Sequence, residues 1–305
     1  MISRIRKGRN NKVFLFKKKK EKIIIKKYKS IFSTKYSRFL TEKTFLEFLK
    51  KKKIYNVPKV ICFDKKKKIS YLTFIDGKPV KRVKKNHLIS CLNFLKKINF
   101  NTTYNNFKFQ NASDACLNID DHVKTCQVRI SKLFKKYKNN NNVDKKILFF
   151  LKNEIIPSFK TINIEVNKKF SKVEMKKKLN KNNLILSPSD FGFHNIIYNK
   201  NNLFFIDFEY AGWDDPLKLI CDFFLNPDYS ISKVDKIFFL NKFIHIFGKK
   251  LLNIDILRLI LKFHFLKWVC VILNQLDIEI SKKNANLTYF KKAVDYFNKN
   301  KKILE

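Results

Sequence analysis

The sequence predicts an α+β chain of two lobes, a β-rich N-lobe over residues 1–76 and a mainly α-helical C-lobe over residues 77–305. Three observations predict it. Short runs of β-branched and aromatic residues crowd the amino-terminal quarter. Asp76-Gly77-Lys78-Pro79 then interrupts the chain with two strong breakers. Beyond it, apolar residues recur at helical spacing almost to the end. A length of 305 residues with 45% hydrophobic content is enough for two packed cores.

The elements follow in order. Lys12–Phe16 and Lys22–Tyr28 predict two strands joined by a lysine-rich turn. Thr41–Lys50 carries Phe45, Leu46 and Leu49 on one face, with Thr41 placed to cap the helix. Val60–Phe63 and Ile69–Ile75 predict two more strands, and Lys65–Lys68 is the solvated tip between them. After the linker, His87–Ile98, Asp120–Tyr137 and Asp144–Phe159 have helical periodicity, and Asn139–Asn142 is a polar loop. Ile196–Tyr198 and Leu203–Ile206 form a hairpin around Asn199-Lys200-Asn201-Asn202, and from Lys233 onward the pattern is helical. Ile254–Leu273 is apolar but interrupted by Asp255, Arg258, Lys262, His264 and Lys267, which predicts a buried helix and no transmembrane segment.

Composition excludes some functions. The formal charge of +42 is carried mainly by lysine, and it accompanies many Asn, Ile and Phe residues with only 5 Gly and 6 Pro. These abundant residues share A/T-rich codons, so base bias accounts for the charge and nucleic acid is not the expected partner. The six cysteines form no CxxC pair and sit among apolar neighbours, which predicts buried free thiols in a reducing, cytoplasmic setting. The five histidines show no metal-ligand spacing.

The chemistry concentrates between Ser187 and Asp222. Phosphoryl transfer needs a base for a hydroxyl proton and oxygen ligands for the metal that gathers phosphate charge. Asp190 is followed after four residues by Asn195, then by the hairpin, then by Asp207. That order and spacing fit a kinase-like catalytic loop and metal-binding acid. Asp190-Phe191-Gly192 spells the metal-binding triplet of protein kinases, but its position before Asn195 makes Asp190 the candidate base. Asp207-Phe208-Glu209 stands where that triplet belongs. Only 25 residues are acidic, yet Asp190, Asp207, Glu209, Asp214, Asp215, Asp222 and Asp228 gather here. Like charges in one place call for cations to answer them. Metal ions could do so, and a cationic substrate could use Glu209, Asp214 or Asp215. A plain Trp-Asp-Asp-Pro turn is the alternative for Asp214 and Asp215.

With these residues in view, the chain resembles the superfamily of aminoglycoside phosphotransferases and choline kinases. Asp190-Phe191-Gly192-Phe193-His194-Asn195 and Ile206-Asp207-Phe208-Glu209-Tyr210-Ala211-Gly212-Trp213 are similar to its two signature blocks. Ala115-Cys116-Leu117 and Leu266–Asn274 are similar to segments of one bacterial branch, and the resemblance runs from Gly8 to Asn274. It implies a protein-kinase-like fold that uses ATP and Mg²⁺, with Asp190 orienting or deprotonating the acceptor hydroxyl and Asn195 and Asp207 as metal ligands. It further implies nucleotide contacts from Lys26 and Glu42 as an ion pair, from Gly8 and Asn10 in a phosphate-covering turn, and from Phe74 and Ile75 in the adenine-binding linker. Lys27 is the alternative to Lys26, because adjacent strand residues face opposite ways. A first-turn helix acid is the alternative for Glu42. Asp222 resembles the acid that braces the catalytic loop. The family often has histidine two residues before the base, where this chain has Pro188. His194 is expected to be a packed loop residue, and Trp268 with Phe263 and Phe265 to belong to a buried aromatic helix.

The leading reading is an ATP-dependent small-molecule O-phosphotransferase whose acceptor is a hydroxyl on a sugar, amino sugar or amino alcohol. The alternatives are a catalytically weak, kinase-like nucleotide-binding protein and a basic nucleic-acid-binding protein. The short run from Asp207 to Pro216 leaves no obvious activation segment, which argues against a protein substrate.

Overall fold

The computed structural model describes residues 2–7, 11–19, 21–29, 37–100, 107–137, 142–274 and 283–305. They fall into two compact units. The first comprises Met1–Ser113, Ile185–Asp214 and Asp228–Phe247; the second comprises Asp114–Leu184, Asp215–Pro227 and Gly248–Glu305.

The first unit opens with a five-stranded antiparallel sheet. Its strands are β1 (Ile2–Lys7), β2 (Asn11–Lys18), β3 (Glu21–Tyr28), β4 (Val60–Asp64) and β5 (Ile69–Thr73), in the order β1-β2-β3-β5-β4. Alternation along β3 buries Lys26 and Tyr28 and leaves Lys27 exposed, so Lys26 is the inward lysine. Helix α1 (Arg38–Lys51) buries Phe45, Leu46 and Leu49 as expected. Its cap differs: Ser37 accepts the N–H of Leu40, and Thr41 lies inside the helix. The serine is placed better because its extended backbone turns its oxygen toward the open first turn. The Lys65–Lys68 tip is an exposed turn.

The linker enters β6 (Lys78–Pro79), which pairs with β8 (Ile196–Asn199), itself paired with β9 (Asn202–Phe205). Gly77 has φ +151°, and an added Cβ would stand 2.5 Å from Ile197 Cγ2 and 2.6 Å from the Tyr198 carbonyl oxygen. Glycine is required here on both counts. Lys200 and Asn201 both have positive φ, 44° and 64°, which closes the β8–β9 hairpin with a turn of type I′ character. β7 (Ile185–Ser187) pairs with β10 (Gly212–Asp214). Helix α2 (Lys85–Asn99) buries Leu88, Cys91, Leu92, Phe94, Leu95 and Ile98, and packs on α8 (Lys233–Phe247).

The second unit is helical. It holds α3 (Ile119–Lys136), α4 (Asn142–Phe150), α5 (Ile156–Lys169), α6 (Lys172–Lys176), α7 (Pro216–Leu225), α9 (Ile254–Leu273) and α10 (Lys283–Asn300). α9 is the central element, packed by α3, α5, α7 and α10. Its charged interruptions did not disturb burial: His264 and Lys267 are both inside. No helix among the described residues is long and apolar enough to cross a membrane. The helix expected over Asp144–Phe159 is longer, because a π-helical turn at Leu151–Ile155 splices α4 to α5. Pro157 follows at the second residue of α5, and it has no N–H for regular α bonding, which a widened turn accommodates. Asn142 begins α4, and residues 139–141 of the expected loop lie outside the described residues. Five cysteines are buried free thiols as expected, whereas Cys62 is exposed beside a register shift in β4.

Candidate active site

The candidate catalytic loop lies between β7 and β8. Ser189 adopts φ 64°, an uncommon left-handed conformation for a residue with a side chain. Its N–H is taken by the Ser187 hydroxyl at 2.9 Å, and the N–H of Asp190 by the Pro188 carbonyl at 3.0 Å. A short 3₁₀ turn, Phe193–Asn195, then closes the loop. Asn195 Nδ2 donates to the Asp190 carbonyl at 3.0 Å and to its carboxylate at 3.2 Å. His194 Nε2 lies 3.0 Å from the other Asp190 oxygen, and its ring stacks on Tyr229. Asp190 is therefore held from two sides while its side chain stays 39% exposed. Asn195 Oδ1 is buried without a hydrogen-bond partner. That is costly unless a ligand answers it.

Lys26 gathers the second cluster. Its Nζ stands 2.6 Å from Glu42, 2.5 Å from Asp207 and 3.1 Å from Glu209. Glu42 lies beyond the first turn of α1, which holds no acid, so it is the ion-pair partner and not a dipole acid. It also accepts the Phe208 N–H at 3.2 Å and the Tyr28 hydroxyl, which in turn receives a bond from Ser70. Burial works against the Lys26 charge, but Asp207 and Glu42 prevail and hold its pKa well above the ordinary lysine range. Glu209 is pushed the other way from an ordinary acid. Burial raises its pKa, Lys26 opposes that, and the nearby Asp207 and Glu42 charges add to it. Oxygens of Glu42, Asp207 and Glu209 all lie within 4.8 Å of one another.

Phenylalanines fix both acids in place. Each candidate acid is followed by a buried ring, Phe191 after Asp190 and Phe208 after Asp207. Phe191 stacks on Phe205 at 5.8 Å, Phe205 on Phe94 at 4.1 Å and Phe94 on Phe208 at 6.2 Å, while Phe208 meets Phe45 tilted at 4.9 Å. One aromatic core thus ties the loop, the hairpin, α1 and α2 together. The N–H of Ile206, next to Asp207, is taken by the Asn195 carbonyl at 3.0 Å. Asp207 itself has φ 69°.

The predicted residues are placed as follows. Asp190 and Asn195 share one loop, and Lys26, Glu42, Asp207 and Glu209 form one cluster. Phe74 and Ile75 lie between β5 and Gly77, with Lys22 Nζ 5.2 Å from the Phe74 ring centroid. Gly8 and Asn10 lie outside the described residues. Asp214 is fully buried in β10. Asp215, in the second unit, caps α7 by accepting the Leu217 N–H at 2.8 Å. Asp222 is partly buried in the second unit against Lys267, Lys218 at 3.6 Å, His264 at 3.3 Å and Trp268 Nε1 at 3.0 Å. Phe263 and Phe265 are buried, as expected of that helix. Three participants went unread: His194 as a partner of Asp190, Tyr28 as a partner of Glu42, and Asn11, whose Nδ2 donates to Glu209 and whose Oδ1 is buried without a partner. Strand alternation from Lys26 pointed to Tyr28; Asn11 ends the Gly8-Arg9-Asn10-Asn11 stretch placed where a phosphate-covering turn would lie, with no bond to Glu209 expected of it.

No family model and no curated protein matches this sequence. Solved structures do match. The chain is similar to spectinomycin phosphotransferase in complex with ADP and spectinomycin, at 13% identity over 97% of this chain and 91% of that one, with a TM-score of 0.67. It is similar to the ethanolamine kinase of Plasmodium vivax at 16% identity over 96% and 82%, with a TM-score of 0.61. It is also similar to a choline kinase of Cryptosporidium parvum Iowa II at 14% identity over 100% and 90%, with a TM-score of 0.58. The chain has the protein-kinase-like, two-lobe α+β fold. In the kinase-like fold, a β-rich amino-terminal sheet precedes a mainly helical remainder, which is the order of elements described above.

Proposed function

We propose that this kinase-like chain is a member of the aminoglycoside phosphotransferase and choline kinase superfamily, an ATP-dependent small-molecule O-phosphotransferase. The observation that carries the reading is the pair of clusters in one compact unit: Asp190 held by His194 and Asn195, and Lys26 shared by Glu42, Asp207 and Glu209.

The residues fit Mg²⁺. Asn195 offers a buried oxygen with no protein partner, and three carboxylates share a single ammonium. Hard oxygen donors of this kind suit that ion. Asn195 and Asp207 would hold it, and when bound it neutralises charge on the nucleotide phosphates. Lys26, oriented by Glu42, would meet the phosphates from β3. Asp190 would accept the proton of the acceptor hydroxyl as its oxygen bonds to the γ-phosphorus and the bridging bond to ADP breaks. His194 and Asn195 keep the carboxylate aimed at that hydroxyl, so catalysis is mainly positioning. Phe74 and Ile75 would contact adenine, and Gly8 and Asn10 the phosphates.

The acceptor class we propose is an amino alcohol, a sugar or an amino sugar, motivated by neighbours named as choline kinase, ethanolamine kinase and spectinomycin phosphotransferase. Of the three acids offered for a cationic acceptor, Glu209 stands beside Lys26, and the proposal rests on it before Asp214 or Asp215. Free buried thiols suit a reducing cytoplasm. The test is transfer of labelled γ-phosphate from Mg-ATP to choline, ethanolamine, amino sugars and a pooled metabolite extract, beside Asp190→Ala. A labelled product absent from the variant supports the reading. ATP binding without transfer to any acceptor favours a nucleotide-binding protein, and absence of both overturns the site.

A further inference from the structure

The second unit contains a chain of buried polar groups that the proposed phosphotransfer does not use. His122 on α3 and His264 on α9 face each other, with His122 Nδ1 2.9 Å from His264 Nε2. Each ring turns its other nitrogen to a carboxylate: His122 Nε2 lies 3.0 Å from Asp215, and His264 Nδ1 lies 3.3 Å from Asp222. Cys116, in the segment before α3, brings its sulfur within 4.8 Å of a ring nitrogen of each histidine. All three side chains are buried.

Three contacts run along Asp215–His122–His264–Asp222, and each needs one hydrogen or its equivalent. Two neutral imidazoles bring two, and ionised carboxylates bring none. The Cys116 thiol, which also interacts with His122, is a further source, and a metal ion held by the sulfur and both rings would take the place of that hydrogen.

We propose that Cys116, His122 and His264 bind one Zn²⁺, with Asp215 and Asp222 as the outer carboxylates. Thiolate and imidazole are ligands this ion takes, and carboxylates on the far ring nitrogens are the usual second layer of a histidine metal site. Tetrahedral bond lengths place two zinc-bound nitrogens about 3.3 Å apart and a sulfur about 3.6 Å from each. The rings therefore need to part by only about 0.4 Å from their present 2.9 Å separation. Zinc displaces the thiol proton, and with both imidazoles neutral the site then carries one net positive charge, which Asp215 and Asp222 face from the outer ring nitrogens. The ion would pin the segment before α3 to α3 and α9, with α7 held through Asp215 and Asp222.

The test is metal analysis of the full chain purified from zinc-supplemented cells, followed by Co²⁺ exchange. The expected result is about one zinc per chain that survives gel filtration, and a cobalt form with thiolate charge-transfer absorption. His264→Gln should lose the zinc, and Asp215→Asn should weaken it roughly 10–100-fold. Asp207→Ala should keep it, which separates this site from the Lys26 cluster. Should His264→Gln fail to fold, the cobalt spectrum of the unaltered protein still decides. Metal well below one per chain, copper in place of zinc, or a cobalt spectrum without the sulfur band overturns the proposal.

Discussion

The two units contain mirror-image charge clusters. In the first, one lysine stands among three acids: Lys26 with Glu42, Asp207 and Glu209. In the second, one acid stands among cations and donors: Asp222 with Lys267, Lys218, His264 and Trp268. Both are mostly buried, yet they behave differently. Burial opposes the charge on Asp222, but Lys267 and its other partners hold its pKa well below the ordinary carboxylate range. Glu209 is raised, because burial and two neighbouring carboxylates act against its charge. The Asp222 cluster carries surplus cation, two lysines against one acid. The Lys26 cluster carries surplus acid, and both buried side-chain oxygens without a partner among the described residues, on Asn11 and Asn195, lie in its unit. Surplus acid is what the proposed magnesium would answer, and surplus cation is not.

Three variants break or sharpen that contrast. Asp190→Asn should lower transfer by roughly 10²–10⁴-fold, the range for loss of a general base. Its melting temperature should stay near that of the parent, because the side chain is 39% exposed. A large fall in melting temperature would make Asp190 a scaffold residue. Asp222→Ala should destabilise the fold by about 3–5 kcal/mol, since it leaves buried lysines without their acid. Urea unfolding measures it, and a change under about 1 kcal/mol would dissolve the contrast.

Glu209→Gln should have the smallest effect, and its sign is set by pH. A carboxyl raised above its ordinary 4.5 favours the folded state when protonated. The parent should therefore lose stability relative to Glu209→Gln as pH climbs from 4.5 through the raised value, and the two should converge below it. Melting curves across that window check it. A parent that gains stability over the same interval would mean that Lys26 outweighs burial and the other two acids.

Much of this was legible in the sequence. The strands β2–β5, helix α1 and the β8–β9 hairpin are local patterns, and they lie where the periodicity put them, apart from a few terminal residues. Lys26 and Glu42 were legible as a pair because a strand end and a helix start are recognisable. The missed features come from tertiary context. Ser37 displaced Thr41 as the cap through backbone geometry that composition does not encode. β1 went unread because its alternation is of Arg and Lys with few apolar residues. Pro188 raised doubt about bracing, but the brace comes from His194 and Asn195, downstream of the acid. The five histidines showed no ligand spacing along the chain, and His122 and His264 meet only because α3 packs on α9.

Ser189 and Asp207 have one more consequence. Both hold left-handed backbone, φ 64° and 69°, next to or at the groups that would do the chemistry. A side chain there costs about 1–2 kcal/mol that glycine would not. Glycine at Ser189 would relieve that cost, whereas glycine at Asp207 would also strip buried Lys26 of an acid 2.5 Å away and remove the proposed oxygen ligand. A laboratory lineage rewarded only for surviving heat is therefore free to change the first position and not the second.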